Sequence, residues 1–321
     1  MIHWGILGCG HIAAKFAADL LLTEGGSLYG VGSRSSEKAT EFAATFQATT
    51  AYGSYAELIQ DPVIDIIYIA TPHSFHKEHT LRCLAHKKAV LCEKPFAMNL
   101  EEAEEMIAFA KAQQTFLMEA LWTYFLPHFS FVLDQIASGS LGKVTHLKAD
   151  FGFEAAYAPN GRLFNKKLGG GSLLDVGIYP IFTALSLLGP TDQIEARATF
   201  GPTGVDHHCY MRLQYPNAVI ASLESSIDRK TATECHILLE HGEIHIQSRF
   251  HEPTSVTILA NDVLSIHEFP TLGHGYHYEI LHCQEMLVEG RIESTQMPFA
   301  KSKQLLQMLD KIRQVIGLKY D

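Results

Sequence analysis

Apolar and polar positions along the chain fall into two regimes. Over roughly the first 120 residues, short apolar runs alternate with stretches whose apolar positions recur at helical spacing. Runs 2–7, 27–33, 64–70, 89–92 and 116–118 read as strands, and 11–22, 37–46, 75–86 and 100–113 as helices. Ser35 or Ser36 is available to cap the second helix. Asn99 caps the fourth, with Glu101 and Glu102 in its first turn, where the helix dipole favours acids. Strands that alternate with helices need crossover connections, which predicts a parallel sheet covered on both faces.

Beyond that point the texture changes. A helix is expected at 127–136, a strand at 144–153, and a triglycine turn at 169–171 leading into a helix at 172–188. Strand-like runs follow at 193–200, 209–214, 219–226, 234–240, 244–247, 256–259 and 263–269. Short turn signals join several of them, such as Pro216-Asn217, His241-Gly242 and Asn261-Asp262, which predicts an antiparallel sheet. Helices at 276–289 and 299–316 close the chain.

Composition narrows the functional classes. Apolar residues make up 47% of the 321 positions and charged ones 19%, enough to build cores. The formal charge of −10 argues against nucleic acid or an anionic membrane as the main partner, because phosphate attracts basic surfaces. The longest apolar stretches read as strand-sized, so no membrane span is expected. The N-terminus lacks the basic and apolar pattern of a secretory signal, and a cytoplasmic location is expected. Cys9, Cys83, Cys92, Cys209, Cys235 and Cys283 are scattered without a C-x-x-C pair, as expected for buried thiols in a reducing compartment. The 18 histidines raise the question of metal. However, His73, His76 and His79 diverge around a helix, and His207-His208-Cys209 alternates faces on a strand. His274, His277 and His282 lack a tight ligand spacing, so no metal site is expected.

Gly8-x-Gly10-x-x-Ala13 lies between the first strand and the first helix. The first glycine permits the tight turn and the second lets a pyrophosphate approach the backbone. The small Ala13 allows close helix–strand packing. In this context the pattern is the fingerprint of a dinucleotide site. The expected architecture is therefore α/β: an N-terminal Rossmann domain with a doubly wound parallel sheet at 1–120. Behind it, at 121–321, an α+β catalytic and substrate domain carries a large, mainly antiparallel open sheet, its last helix packing back on the first domain. At the end of the second strand, Ser33-Arg34-Ser35-Ser36 has no acid for a ribose diol, and an arginine with hydroxyls suits a 2′-phosphate. NADP is accordingly the preferred cofactor, with NAD as the alternative if Arg34 only stacks on adenine.

Three further segments carry chemistry. Ala70-Thr71-Pro72-His73-Ser74-Phe75-His76 and Cys92-Glu93-Lys94-Pro95 each lie just past a buried strand, where ligands of open α/β sheets bind. On a helix, Asp175 and Tyr179 share one face otherwise lined by apolar residues, a costly placement unless they line a site.

Together these segments resemble the Gfo/Idh/MocA oxidoreductases (the glucose–fructose oxidoreductase and inositol dehydrogenase family). The likeness is greatest to the branch of dimeric dihydrodiol dehydrogenases, through Glu119-Ala120-Leu121-Trp122 and Asp175-Val176-Gly177-Ile178-Tyr179-Pro180. The resemblance spans the chain, with Glu93-Lys94-Pro95 its most specific element. It implies that Gly8, Gly10, His11 and Ile12 hold the pyrophosphate and that Ser33 and Arg34 meet the adenosine ribose. Thr71, His73, His76 and Glu93 would border the cofactor. Lys94 would touch both cofactor and substrate, and with Asp175 and Tyr179 would form the catalytic group. Trp122 would wall the substrate pocket, and Arg162 is a candidate substrate contact. His73 stands where many members have asparagine, and Tyr179 where many sugar-using members have histidine.

The implied reaction is hydride transfer between the nicotinamide and a secondary alcohol or ketone of a small polyhydroxylated ring: a sugar, a cyclitol or a trans-dihydrodiol. Tyr179 is the first choice as general acid/base, with the Lys94 ammonium favouring its ionised form, and Lys94 as proton relay is the second choice. Two alternatives stay open: a non-catalytic NADP-binding regulator, and a glycoside-cleaving enzyme that uses the cofactor transiently. A homodimer or higher homo-oligomer is expected.

Overall fold

A computed structural model describes residues 1–320, and the chain divides into two compact units, Met1–Trp122 with Thr271–Lys303 and Thr123–Pro270 with the residues from Gln304 onward. The first unit is built on strands β1 (Ile2–Leu7), β2 (Gly26–Gly32), β3 (Thr50–Tyr52), β4 (Ile66–Ile69), β5 (Ala89–Glu93) and β6 (Leu117–Ala120). Among them run helices α1 (His11–Leu21), α2 (Ser36–Phe46), α3 (Tyr55–Gln60), α4 (His76–Ala85) and α5 (Leu100–Gln113). The strands are parallel in the order β3-β2-β1-β4-β5-β6, the doubly wound arrangement whose ligand crevice lies beyond the carboxyl ends of β1 and its neighbours. β4 and β5 are buried at every position, as a sheet covered on both faces requires.

Local chemistry explains the helix starts. Ser35 accepts a hydrogen bond from the Lys38 N–H to cap α2, and Asn99 does the same for Glu102 at α5. β3 and α3 were not anticipated: residues 50–60 are too short a stretch to show a period, although Ser54 caps α3 through the Glu57 N–H.

In the second unit, α6 (Pro127–Ser138) precedes β7 (Val144–Gly152). A π-helical turn, Leu173–Gly177, then runs into α7 (Ile178–Leu188). Next come β8 (Gln193–Phe200), β9 (Asp206–Gln214), β10 (Ile220–Ser226), β11 (Cys235–Leu239), β12 (Gly242–Ile246), β13 (Val256–Ala260) and β14 (Val263–His267). The sheet order is β14-β13-β12-β11-β7-β10-β9-β8, antiparallel except for the parallel pair β7 and β10. Alternation is strict on β11 and β12. Cys235, Ile237, Leu239, Ile244 and Ile246 are buried, while His236, Leu238, Glu243 and His245, with Glu234 just before β11, face the other way, partly or fully exposed. The run Lys166–Leu188, 23 residues long, is apolar enough to cross a bilayer by length and composition, so apolar stretches are not all strand-sized; 83% of its apolar window is buried inside the protein, as in a core helix.

The last two helices are α8 (His277–Val288) and α9 (Phe299–Ile316). Thr271–Lys303 groups with the first unit, not with a domain at 121–321. Asp19 on α1 accepts from the backbone N–H groups of His274 and Tyr276, and Tyr276 stacks on Trp122 with ring centroids 4.4 Å apart. It is thus α8, and only the first residues of the last helix, that return to the first unit. All six cysteines are free.

Candidate active site

The candidate nucleotide-binding residues lie in the first unit. Gly8 has φ +106°, its N–H donates to the Gly32 carbonyl, and a Cβ there would stand 3.0 Å from the Ala70 carbonyl oxygen. Only glycine fits both constraints. Gly10 is different: its φ is −94°, it is exposed, and a Cβ would meet nothing within 4 Å. Helix α1 starts there without a side-chain cap, leaving the N–H groups of its first turn, His11 and Ile12 among them, for a ligand. An open, uncapped helix N-terminus behind a glycine turn fits a pyrophosphate.

At the end of β2, the Ser33 hydroxyl accepts from the Ser35 N–H (3.2 Å). Arg34 is exposed and interacts with the Tyr55 hydroxyl, whose pKa is raised, chiefly by burial and against the pull of Arg34. Tyr55 packs edge-on against His79 (5.1 Å), and His79 Nδ1 lies 3.0 Å from the Thr71 hydroxyl. Burial pulls His79 down to about 4, so this ring is neutral. Arg34 and Thr71 are therefore linked through Tyr55 and His79. Cys9 borders this region, and burial pushes its thiol up to about 11, so it is not a nucleophile at neutral pH.

The Lys94 loop is braced from several sides. Glu93 is buried, accepts from the Tyr68 hydroxyl, and accepts from the Lys94 N–H at 3.1 Å. Burial and the nearby Glu93 charge raise the Tyr68 pKa far above that of a free phenol, so Tyr68 remains a donor. The Lys94–Pro95 peptide is cis, and Phe96 N–H donates to Glu119 (3.1 Å). The His76 ring is fully buried between the carbonyls of Thr71 (2.9 Å) and Pro95 (2.8 Å). Burial pulls its pKa below the usual imidazole range, against the two carbonyls. His76 thus ties the Thr71 loop to the Lys94 loop, and its ring nitrogens face these carbonyls rather than a ligand. His73 is buried beside it, with ring centroids 5.8 Å apart. Trp122 is 4% exposed, and Tyr276 covers one face of its indole.

In the second unit the triglycine turn is fixed by close packing. A Cβ on Gly170 would come within 2.7 Å of the Leu163 carbonyl oxygen, and one on Gly171 (φ +119°) would strike Asp206. Asp206 is fully buried and accepts from the Ser172 hydroxyl and the Leu173 N–H, both at 2.7 Å. Burial pushes its carboxyl up to about 6. These bonds anchor the π-helical turn that carries Asp175. The π turn changes the expected regular i, i+4 relation between Asp175 and Tyr179, and such turns recur at functional sites.

Arg162 Nη1 donates to Asp175 Oδ1 at 2.6 Å, so the two residues that the sequence left separate form an ion pair. Tyr179 is 6% exposed and lies against Phe151 (5.6 Å) and His251 (4.9 Å), whose rings stack at 4.0 Å. Thr123 fixes the His251 backbone by donating to its carbonyl (2.7 Å). Phe151, His251, Tyr55 and His79 were not anticipated. Phe151, His251 and Tyr55 sit far in sequence from the motif residues they touch, while His79 lies eight residues beyond Thr71, on α4.

The N-terminal 2–121 match the model of an oxidoreductase family with an NAD-binding Rossmann fold, and 129–245 match the GFO/IDH/MocA C-terminal domain. The chain belongs to the GFO/IDH/MocA oxidoreductase family. It is an NAD(P)-dependent oxidoreductase. The trans-1,2-dihydrobenzene-1,2-diol dehydrogenase of Mus musculus is 35% identical over 331 residues, covering 99% of this chain and 98% of its own. The Homo sapiens enzyme of the same name is 34% identical with the same coverage. Among solved structures, an aldose-aldose oxidoreductase from Caulobacter crescentus complexed with glycerol has a TM-score of 0.89 at 24% identity. It covers 98% of this chain and 97% of its own. A 3-ketoreductase from Actinomadura kijaniata, in complex with TDP-benzene and NADP, scores 0.87 at 22% identity and covers 98% of both chains. At these identities the structures speak for the fold.

Proposed function

We propose that this oxidoreductase acts on a vicinal diol of a small ring, with a trans-dihydrodiol as the leading substrate class and sugars or cyclitols as its polyhydroxylated relatives. The observation that carries this reading is the likeness to trans-dihydrodiol dehydrogenases over the whole chain. The aromatic surroundings of Tyr179 support it: Phe151 and His251 offer flat, largely apolar surface suited to the face of an unsaturated ring. The Arg162–Asp175 pair supplies the polar partner for a hydroxyl.

When bound, the nicotinamide supplies the hydride acceptor. Tyr179, as its phenolate beside the Lys94 ammonium, takes the proton of the reacting hydroxyl as the carbinol hydrogen leaves with the C–H electron pair, and in the reverse direction the phenol returns that proton to the carbonyl oxygen. Lys94 donates to the substrate oxygen and steadies negative charge there, on a backbone that Glu93, His76 and Glu119 hold in place. Asp175, oriented by Arg162, accepts from the neighbouring hydroxyl. Gly8, Gly10, His11 and Ile12 receive the pyrophosphate, and Ser33 and Arg34 the adenosine ribose. Arg34, with Tyr55 beside it, favours the 2′-phosphate of NADP over NAD. Thr71 and His73 border the cofactor, and Trp122 borders the substrate. The polar outer face of the eight-stranded sheet suits pairing of two copies into a homodimer, and a cytoplasmic location accords with six free thiols.

The test is turnover with NADP on a matched panel of trans-dihydrodiols, cis-dihydrodiols, cyclitols and aldoses. The reading expects the highest kcat/KM for a trans-dihydrodiol, and it fails if aldoses or cyclitols are used while every dihydrodiol is refused.

A further inference from the structure

His236 on β11 and His245 on β12 are direct cross-strand partners, and Glu234 precedes His236 by two residues on the same face. The two imidazole rings stack with centroids 3.8 Å apart and planes 16° from parallel. Both Nε2 atoms lie 3.2 Å from one oxygen, Glu234 Oε2. All three potential ligand atoms fall within 4.8 Å of one another. We propose that Glu234, His236 and His245 form a binding site for a divalent transition metal, with zinc the best match.

The geometry fits the ion. Tetrahedral zinc with bonds of about 2.0–2.1 Å separates its ligand atoms by roughly 3.3–3.4 Å. The two nitrogen–oxygen separations here are 3.2 Å, the spacing of zinc ligands, and rotation of the two stacked rings toward each other turns their in-plane Nε2 lone pairs onto one cation. Two imidazoles and a carboxylate are borderline donors of the kind zinc prefers.

The protein alone does not satisfy the cluster. His236 makes a hydrogen bond to Glu234, but His245 Nε2 has neither solvent access nor a hydrogen-bond partner despite its proximity to the carboxylate. A buried polar atom left so is costly, and a metal in the triangle removes that cost.

The surroundings supply the support that metal-bound histidines need. The Gln247 amide lies 3.0 Å from His245 Nδ1 and 2.8 Å from the Thr257 hydroxyl. Turned so that its oxygen faces the ring, it accepts the Nδ1–H and leaves Nε2 to the ion. Lys148 is opposite His236 on β7, but it is exposed and free to extend into solvent. The side chains of His236, Glu234 and His245 are 42%, 27% and 24% exposed, so turning the rings opens Nε2 of His245 to an ion, whose fourth position falls to water. Once bound, the metal clasps β11 to β12 across the His241-Gly242 turn.

The test uses the full chain, stripped with a chelator and titrated with zinc against a chromophoric competitor, alongside its thermal midpoint. One equivalent per chain is expected, with a midpoint that rises with zinc concentration. His236→Gln and His245→Gln should each weaken binding by at least about tenfold. His208→Gln removes a histidine whose Nε2 lies 2.9 Å from Glu224 and should leave binding unchanged. Cobalt in place of zinc should give the visible absorption of a tetrahedral site. No retained equivalent, or one that both substitutions at 236 and 245 leave untouched, overturns the proposal. Neither readout depends on catalysis, so failure here does not touch the oxidoreductase reading.

Discussion

Arg162 holds Asp175 by a 2.6 Å charge-assisted hydrogen bond in which the carboxylate is almost wholly buried and the guanidinium half exposed. Breaking this pair leaves a buried carboxylate without its cation, a larger loss than that of a surface ion pair. Arg162→Ala should therefore lower kcat/KM by about tenfold or more, through misorientation of Asp175. Arg162→Lys should recover part of it, since a lysine keeps the charge and loses the planar fork. Steady-state kinetics of the two variants check this; equal activity in wild type and Arg162→Ala would remove the positioning role.

Gly8 and Gly10 separate fold from binding. Gly10→Ala introduces a methyl group into open space at a φ any residue adopts, so the thermal midpoint should hardly move while NADPH affinity falls by about tenfold or more. Gly8→Ala forces a side chain into φ +106° against the Ala70 carbonyl and should lower the midpoint itself. Calorimetry paired with nucleotide titration distinguishes the two. A Gly10→Ala protein that binds NADPH normally would place the pyrophosphate elsewhere.

Arg34→Ala should weaken NADP far more than NAD. A charged hydrogen bond to the 2′-phosphate contributes on the order of 1.5–3 kcal/mol, about ten- to a hundredfold in affinity. Equal losses for both nucleotides would reduce Arg34 to an adenine-stacking residue.

Tyr179→Phe should cut kcat by about 100-fold or more with little change in nucleotide affinity. A loss confined to KM would transfer the proton-handling role to Lys94.

Stability should carry a pH signature of Glu119. Burial pushes its carboxyl up to about 7 in the folded protein, above the unfolded value of 4.5. Between those values the folded state binds more protons than the unfolded one, so this group's contribution falls as pH rises from about 4.5 through 7. His79 and His128 act oppositely. Burial pulls both down to about 4, below the unfolded value of 6.5, so their contribution rises as pH climbs from about 4 to 6.5. Glu119→Gln should remove this falling contribution, making the variant gain stability relative to wild type between pH 5 and 8. Chemical denaturation at the two pH values measures it, and a wild-type-minus-variant difference independent of pH would contradict it.

The sequence disclosed the parallel unit and its crevice because β1, β4 and β5 are continuous apolar runs and Gly8 and Gly10 punctuate the first. Lys94 and the Asp175–Tyr179 segment stand out in the sequence as candidates because they sit in local motifs. It could not disclose the return of α8 to the first unit, because that depends on Asp19 capturing N–H groups more than 250 residues away. Nor could it show that His76 braces two loops, or that Phe151 and His251 surround Tyr179. These are contacts between distant strands and loops with no period of their own. The π turn at Leu173–Gly177 was hidden for another reason: its apolar residues fit an α-helix equally well.

The most direct test of the central claim is a fluorescence titration of the purified protein with NADPH and NADH, followed by turnover of a trans-dihydrodiol with the better ligand. The account predicts saturable binding with NADPH the tighter of the two, and reduction of NADP coupled one-to-one to diol oxidation. Failure to bind either nucleotide, or binding of NADPH with no turnover of any diol, sugar or cyclitol, would contradict it.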